Sequence, residues 1–231
     1  MSKFIYMVIP SGEKLSSFKT FIINTANRIK KNVTIAAINF IGYWIKPVAD
    51  YVQTIKSNIS ASESKTKRLV VAALLSAIAA IMQTAGALGG PGFAVSNLVT
   101  LPITIAAILA IHTGIAAYIT TCCLLLILQP SELIVFPFTT GLLGLGIGLA
   151  FRLLKKRIGV IALAAFSLTI GIAVLLYGLR FPVLGPFVSS DFQVTTIVLI
   201  YAFSFLYSWL WVEVSMINLK FLSKALVKSA P

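Results

Sequence analysis

An all-α integral membrane protein of six transmembrane helices, preceded by an amphipathic helical arm, is the fold class this sequence predicts. Three observations carry the prediction. The chain is 58% hydrophobic and only 11% charged, with a mean hydropathy of +0.98, whereas soluble domains carry about 25% charged residues. Six apolar runs follow one another from residue 69 onward, on the scale of the roughly 20 residues needed to cross a bilayer as a helix. The cations of this half of the chain sit mainly at the edges of those runs, the distribution that the positive-inside rule describes.

Residues 1–66 read as a basic arm and linker. Between 14 and 59, apolar residues recur at helical spacing (Leu15, Phe18, Ile22, Ala26, Ile29, Val33 and onward), while Lys14, Lys19, Lys30, Lys31, Lys46 and Lys56 occupy the other positions. Gly42 and Pro47 predict a break or kink. The most apolar part, 33–45, is shorter than the roughly 20 residues of a span. The arm therefore reads as a helix in the membrane interface, held by anionic lipid and anchored by Tyr43 and Trp44. A helical arm packed on a partner protein is the alternative. The polar stretch SASESKTK links it to the membrane domain, 67–231.

The predicted spans are about 69–88, 93–111, 114–128, 133–151, 158–179 and 193–219. The first stops at Gly89-Gly90-Pro91-Gly92, and the second and third are hinged at His112-Thr113-Gly114. The hairpin 93–128 carries no formal charge, so two ordinary spans are expected there, with a partly re-entrant pair as the alternative. Charge sets the orientation. With the N-terminus inside, 152–157 and the C-terminus are also inside, and the outer loops hold one cation, Arg180. The chain is thus expected in the cell membrane as a multi-pass protein with both termini cytoplasmic. The stretch 4–9 is too short for a signal peptide and ends at Pro10.

Composition also excludes. Net charge +13 would suit nucleic acid, but eleven of the nineteen Lys and Arg precede Leu69 and most others flank apolar runs. That distribution fits anionic headgroups, so no nucleic-acid partner is expected. The two cysteines, Cys122 and Cys123, are adjacent, and neighbours on a helix point about 100° apart. With a single histidine, His112, no metal site is expected. HExxH and GxSxG are absent and the six acids are scattered, so neither an enzyme nor a bound cofactor is predicted.

Small residues form two combs. Ala73 and Ala77 lie four apart on the first span, with Ala72, Ser76 and Ala80 on the adjacent stripe. Gly144 and Gly148 repeat the spacing on the fourth, beside Gly141 and Gly146. Such combs let helix backbones approach closely, either inside one protein or against another membrane subunit.

The runs KRLVVAALLSAIAAIMQ, GPGFAVSNLVTLPITIAAILAIHTGIAAYITTCCLLLIL and FPFTTGLLGLGIGLAFRLLKKR together resemble the substrate-binding S components of energy-coupling factor (ECF) transporters. The likeness covers about 67–225 and leaves the long arm outside it. It lies in the six spans, the Ala-x-x-x-Ala comb, the Gly/Pro loop entering the second span, and the Gly-rich fourth span before a basic loop. The resemblance implies a membrane subunit that binds a small-molecule solute, such as a vitamin. It further implies that Ala73 and Ala77 dock a membrane coupling (T) subunit driven by two ATPase subunits.

A solute captured from outside needs polar groups near the outer helix ends. The expected set is Gln83, Asn97, Gln129, Glu132, Thr139, Arg180, Asp191 and Tyr201, with Ser96, Thr100 and Thr140 nearby and phenylalanines as walls. Each has a structural alternative. Gln83 can glue helices, Asn97 can cap one, Arg180 and Asp191 can pair, and Glu132 suits a helix's first turn. Glu213 lies toward the inner end of the sixth span, as a proton-coupled site, an interfacial acid, or a partner of Arg152 or Arg157. Two other functions remain open: a membrane scaffold or assembly protein whose arm binds lipid or a partner, and a secondary transporter using Glu213.

Overall fold

The computed structural model describes residues 12–48, 65–181 and 193–228, and among them there is helix but no strand. The chain divides into two compact units, Met1–Lys46 and Pro47–Pro231. The described residues of the first unit contain one helix, Gly12–Ile45, which runs through Gly42 and ends two residues before Pro47. Proline lacks an N–H and disfavours helical geometry in the residue before it, so the helix stops there. Near its end the rings of Tyr43 and Trp44 meet edge to face at 5.5 Å. The predicted continuation through Val52, Ile55 and Ile59, and most of the linker, lie outside the described residues.

Among the described residues of the second unit, six helical segments are long and apolar enough to cross a membrane: Lys65–Leu88, Pro91–Leu109, Ile111–Leu128, Glu132–Leu153, Arg157–Gly178 and Val194–Lys224. They number 18 to 31 residues, or about 27 to 46 Å at 1.5 Å per residue. Their outward faces carry exposed Leu, Ile, Val and Phe, the inverse of a soluble fold and what a lipid environment permits.

Two prolines break spans that read as continuous in the sequence. In the second, the helix Pro91–Asn97 gives way at Leu98 and Val99 before Thr100–Leu109 resumes, because Pro102 cannot donate to the Leu98 carbonyl. In the fourth, Glu132–Val135 is followed by a 3₁₀ turn Phe136–Phe138 around Pro137, and then by Thr140–Leu153. Buried Phe136 stacks on Tyr118, with centroids 5.9 Å apart, and the Tyr118 hydroxyl donates to the Pro137 carbonyl at 2.9 Å. The kink is therefore pinned from the third span. The second-to-third reversal takes a single extended residue, Ala110, and His112-Thr113-Gly114 already belong to the third helix. The Gly114 N–H closes that first turn on the Ala110 carbonyl at 2.9 Å.

Small residues set the packing. Gly144 and Gly148 press the fourth span onto the second: a Cβ on Gly144 would lie 2.9 Å from the Thr100 carbonyl, and one on Gly148 3.0 Å from that of Thr104. At the same crossing the Thr104 hydroxyl donates to the Gly144 carbonyl at 3.2 Å. Such interhelical bonds contribute about 0.6 kcal/mol each inside a membrane. On the first span Ala72, Ser76, Ala79, Ala80 and Gln83 are buried, while Ala73 and Ala77 are exposed on the opposite flank among Val70, Leu74 and Ile78.

One end of this unit is basic. Arg152 donates to the Ile108 and Leu109 carbonyls at 2.8 and 3.1 Å, closing the C-terminus of the second span. Arg157, with 6% of its side chain exposed, pairs with Glu213 at 3.4 Å. Glu213 thus has a cation beside it at the base of the fifth and sixth spans. At the other end, Gly89 and Gly90 take φ of 63° and 41°, a left-handed turn that favours glycine over other residues.

Candidate functional site

At the glycine-turn end a cavity of about 430 Å³ opens between the first, second, fourth, fifth and sixth spans. Residues flanking both proline breaks line it. The interrupted second span contributes Phe93, Ser96 and Asn97, and the kinked fourth contributes Glu132, Val135, Thr139 and Thr140. Leu168 and Ile172 of the fifth span and Phe203 and Tyr207 of the sixth complete the wall with Gln83 of the first.

Gln83 organises the polar side. It is almost fully buried, and its Nε2 donates to Glu132 Oε2 at 2.8 Å while its Oε1 accepts from the Thr140 hydroxyl at 3.3 Å. Turning the amide over would set its oxygen against the carboxylate, so the two partners fix its orientation. A buried amide without partners costs several kcal/mol in an apolar medium; here both ends are satisfied. Gly86 lets the end of the first span lie against this group, since a Cβ there would meet Ser96 at 3.3 Å and Glu132 Oε1 at 3.8 Å.

On the opposite wall the Tyr207 hydroxyl donates to Asn97 Oδ1 at 3.3 Å. The Phe203 and Tyr207 rings, both on the lining, stack on each other at 5.8 Å and 18°. A pocket of this size, mostly apolar with a few fixed polar groups, matches the usual character of small-molecule sites.

Of the residues expected from the sequence, the structure brings Gln83, Asn97, Glu132 and Thr139 into the lining of this one cavity. It places three others elsewhere. Gln129 terminates the third span, which contributes nothing to this lining. Arg180 follows the fifth span with φ 52° and is exposed. Tyr201 is exposed beside Phe205, because two residues on a helix separate it from Phe203 by about 200°. Asp191 lies outside the described residues. Phe203, Leu168 and Ile172 are apolar wall residues with no polar signature in the sequence; only the rotation of their helices brings them to the cavity. Tyr207 also lines the cavity.

At the basic end a second cavity, of about 360 Å³, is lined by Lys65, Arg68, Leu69, His112 and Thr113 among others. No group of His, Cys, Asp and Glu that could hold a metal ion occurs among the described residues. No family model matches the chain, and no curated protein or solved structure matches it.

Proposed function

We propose that this chain is a membrane-embedded solute-binding subunit of ECF type, which captures a small molecule such as a vitamin in the cavity between its spans. The single observation that carries the reading is the Thr140–Gln83–Glu132 network on the wall of a 430 Å³ cavity built by five helices. Chemistry at this site is recognition rather than bond making, so the reading makes the chain a non-enzyme with no cofactor of its own. The placement of cations at one end supports an orientation in the cell membrane with both termini cytoplasmic and the cavity facing outside.

Energy comes from partners in this reading. The exposed Ala73 and Ala77 flank of the first span offers a small-residue surface on which a coupling (T) subunit, driven by two ATPase subunits, would pack closely. The basic arm would rest on anionic lipid. The pairing of Glu213 with Arg157 supports a structural role for that acid over one in proton coupling.

The test is purification of the full chain from its native membrane, with mass spectrometry of co-eluting proteins and small molecules. A coupling subunit, paired ATPases and one enriched small molecule are expected. Ser96→Trp, which fills the cavity, should remove the small molecule and keep the complex, while Ala73→Trp with Ala77→Trp should do the reverse. A chain that purifies without ATPase partners and without a small molecule refutes the proposal.

A further inference from the structure

The hydrogen-bonding groups of the cavity are not balanced, and their imbalance describes what would fill it. Each hydroxyl that the described residues place on its wall gives its proton to the protein. Ser96 donates to the Phe93 carbonyl at 3.0 Å, Thr139 to the Val135 carbonyl at 2.8 Å, Thr140 to Gln83 Oε1 at 3.3 Å, and Tyr207 to Asn97 Oδ1 at 3.3 Å. A hydroxyl has one proton and two lone pairs, so a hydroxyl that donates to the protein offers an incoming molecule only lone pairs.

The carboxylate adds to this. Glu132 has four lone-pair positions on its two oxygens. Gln83 occupies one, on Oε2, and no hydrogen bond to Oε1 is present among the described residues. Among the described residues no lysine, arginine or histidine lines the cavity, and Glu132 has no ion-pair partner. The undescribed stretch 182–192 could not supply a cation, because its only charged residue is Asp191. Phe203 and Tyr207 also line the cavity, and the faces of aromatic rings are electron-rich and attract cations. The donors left over are the second Nε2–H of Gln83 and the Asn97 amide.

From this imbalance we infer that the cavity selects a flat organic cation, with its N–H or ammonium group on Glu132 and its ring against Phe203 and Tyr207, and disfavours anions. The inference rests on the cavity being the solute site proposed above and adds the charge class of its occupant. An anion placed there would face the Glu132 carboxylate with few donors to receive it.

Three probes share one ring and differ in charge: tryptamine (cation), tryptophol (neutral) and indole-3-acetate (anion). Their dissociation constants would be measured on the full chain in lipid nanodiscs, with empty nanodiscs subtracted. Tryptamine should bind about tenfold tighter than tryptophol, and indole-3-acetate weakest of the three. Glu132→Gln should bring tryptamine and tryptophol within about twofold of each other while tryptophol binding persists. Glu132→Asp, which keeps the charge, should retain the preference, so a variant that fails to fold does not end the test.

Indole-3-acetate binding as tightly as tryptamine, and lost in Ser96→Trp, overturns the cation preference but leaves the cavity as the solute site. Binding of all three probes unchanged by Ser96→Trp overturns the cavity reading itself. Binding of none to the folded chain overturns the inference.

Discussion

Replacing Gln83 by Met tests the network on which the site depends. Methionine keeps the length of the side chain and its apolar body but removes both hydrogen bonds, so the perturbation is electrostatic rather than a cavity. Two bonds are lost. That to Glu132, at 2.8 Å, is assisted by a carboxylate charge and is worth about 1.5–3 kcal/mol. That from Thr140, at 3.3 Å, is long and neutral, worth about 0.6 kcal/mol inside a membrane. Glu132 is only half-buried, so water recovers part of its loss, and the expected destabilisation is about 2 kcal/mol. For a domain of this size that lowers the melting temperature by roughly 4–8 °C.

The assay is thermal unfolding of the detergent-solubilised chain at one fixed scan rate. A double-mutant cycle with Glu132→Met isolates the pair. With both partners apolar no unsatisfied group remains, so the double variant should recover part of the loss and give a coupling energy of about 1–2 kcal/mol. A coupling below about 0.3 kcal/mol, within the error of additivity for independent sites, would refute the claim that Gln83 and Glu132 hold the cavity wall together.

Gly148→Leu should destabilise by at least about 1–3 kcal/mol, because even its Cβ would crowd the Thr104 carbonyl and Ala107; the same unfolding assay reads it. Ala73→Leu, on an exposed flank, should stay within about 0.5 kcal/mol. Glu213→Met should cost about 2–3 kcal/mol by taking the paired carboxylate from buried Arg157, and Arg157→Met with Glu213→Met should restore part of it. With Cys122 and Cys123 replaced by Ala, a cysteine at Arg180 should react with an impermeant maleimide on intact cells, and one at Lys155 only after permeabilisation. The opposite pattern would invert the proposed orientation.

Much of the architecture is legible in composition and spacing alone. The apolar runs mark out six spans because a bilayer imposes one length and one polarity on every crossing helix. The comb Gly144-x-x-x-Gly148 reads as a close helix contact, and the structure shows that contact to be with the second span. The breaks around Pro102 and Pro137 carry a signal in the prolines themselves. Hydropathy averaged over a span hides it, because a proline that interrupts an apolar run barely changes the mean. The hinge is displaced for a related reason: His112-Thr113-Gly114 looks like a loop, yet Ala110 takes the reversal and leaves Gly114 to pack on Ala107.

The amino-acid sequence by itself determined the class of the protein, the number of its spans and the charge asymmetry of its ends, all of which follow from composition along short stretches. Only the tertiary structure decided which polar side chains converge. Gln83 reaches Glu132 across 49 residues and Thr140 across 57, while Asn97 meets Tyr207 across 110. These meetings depend on helix rotation and on two proline breaks, neither of which periodicity specifies. A polar group in an apolar surrounding must find a partner, but which partner it finds is set by the packing of the whole bundle. That packing also turns Tyr207 inward and Tyr201 outward on the same helix.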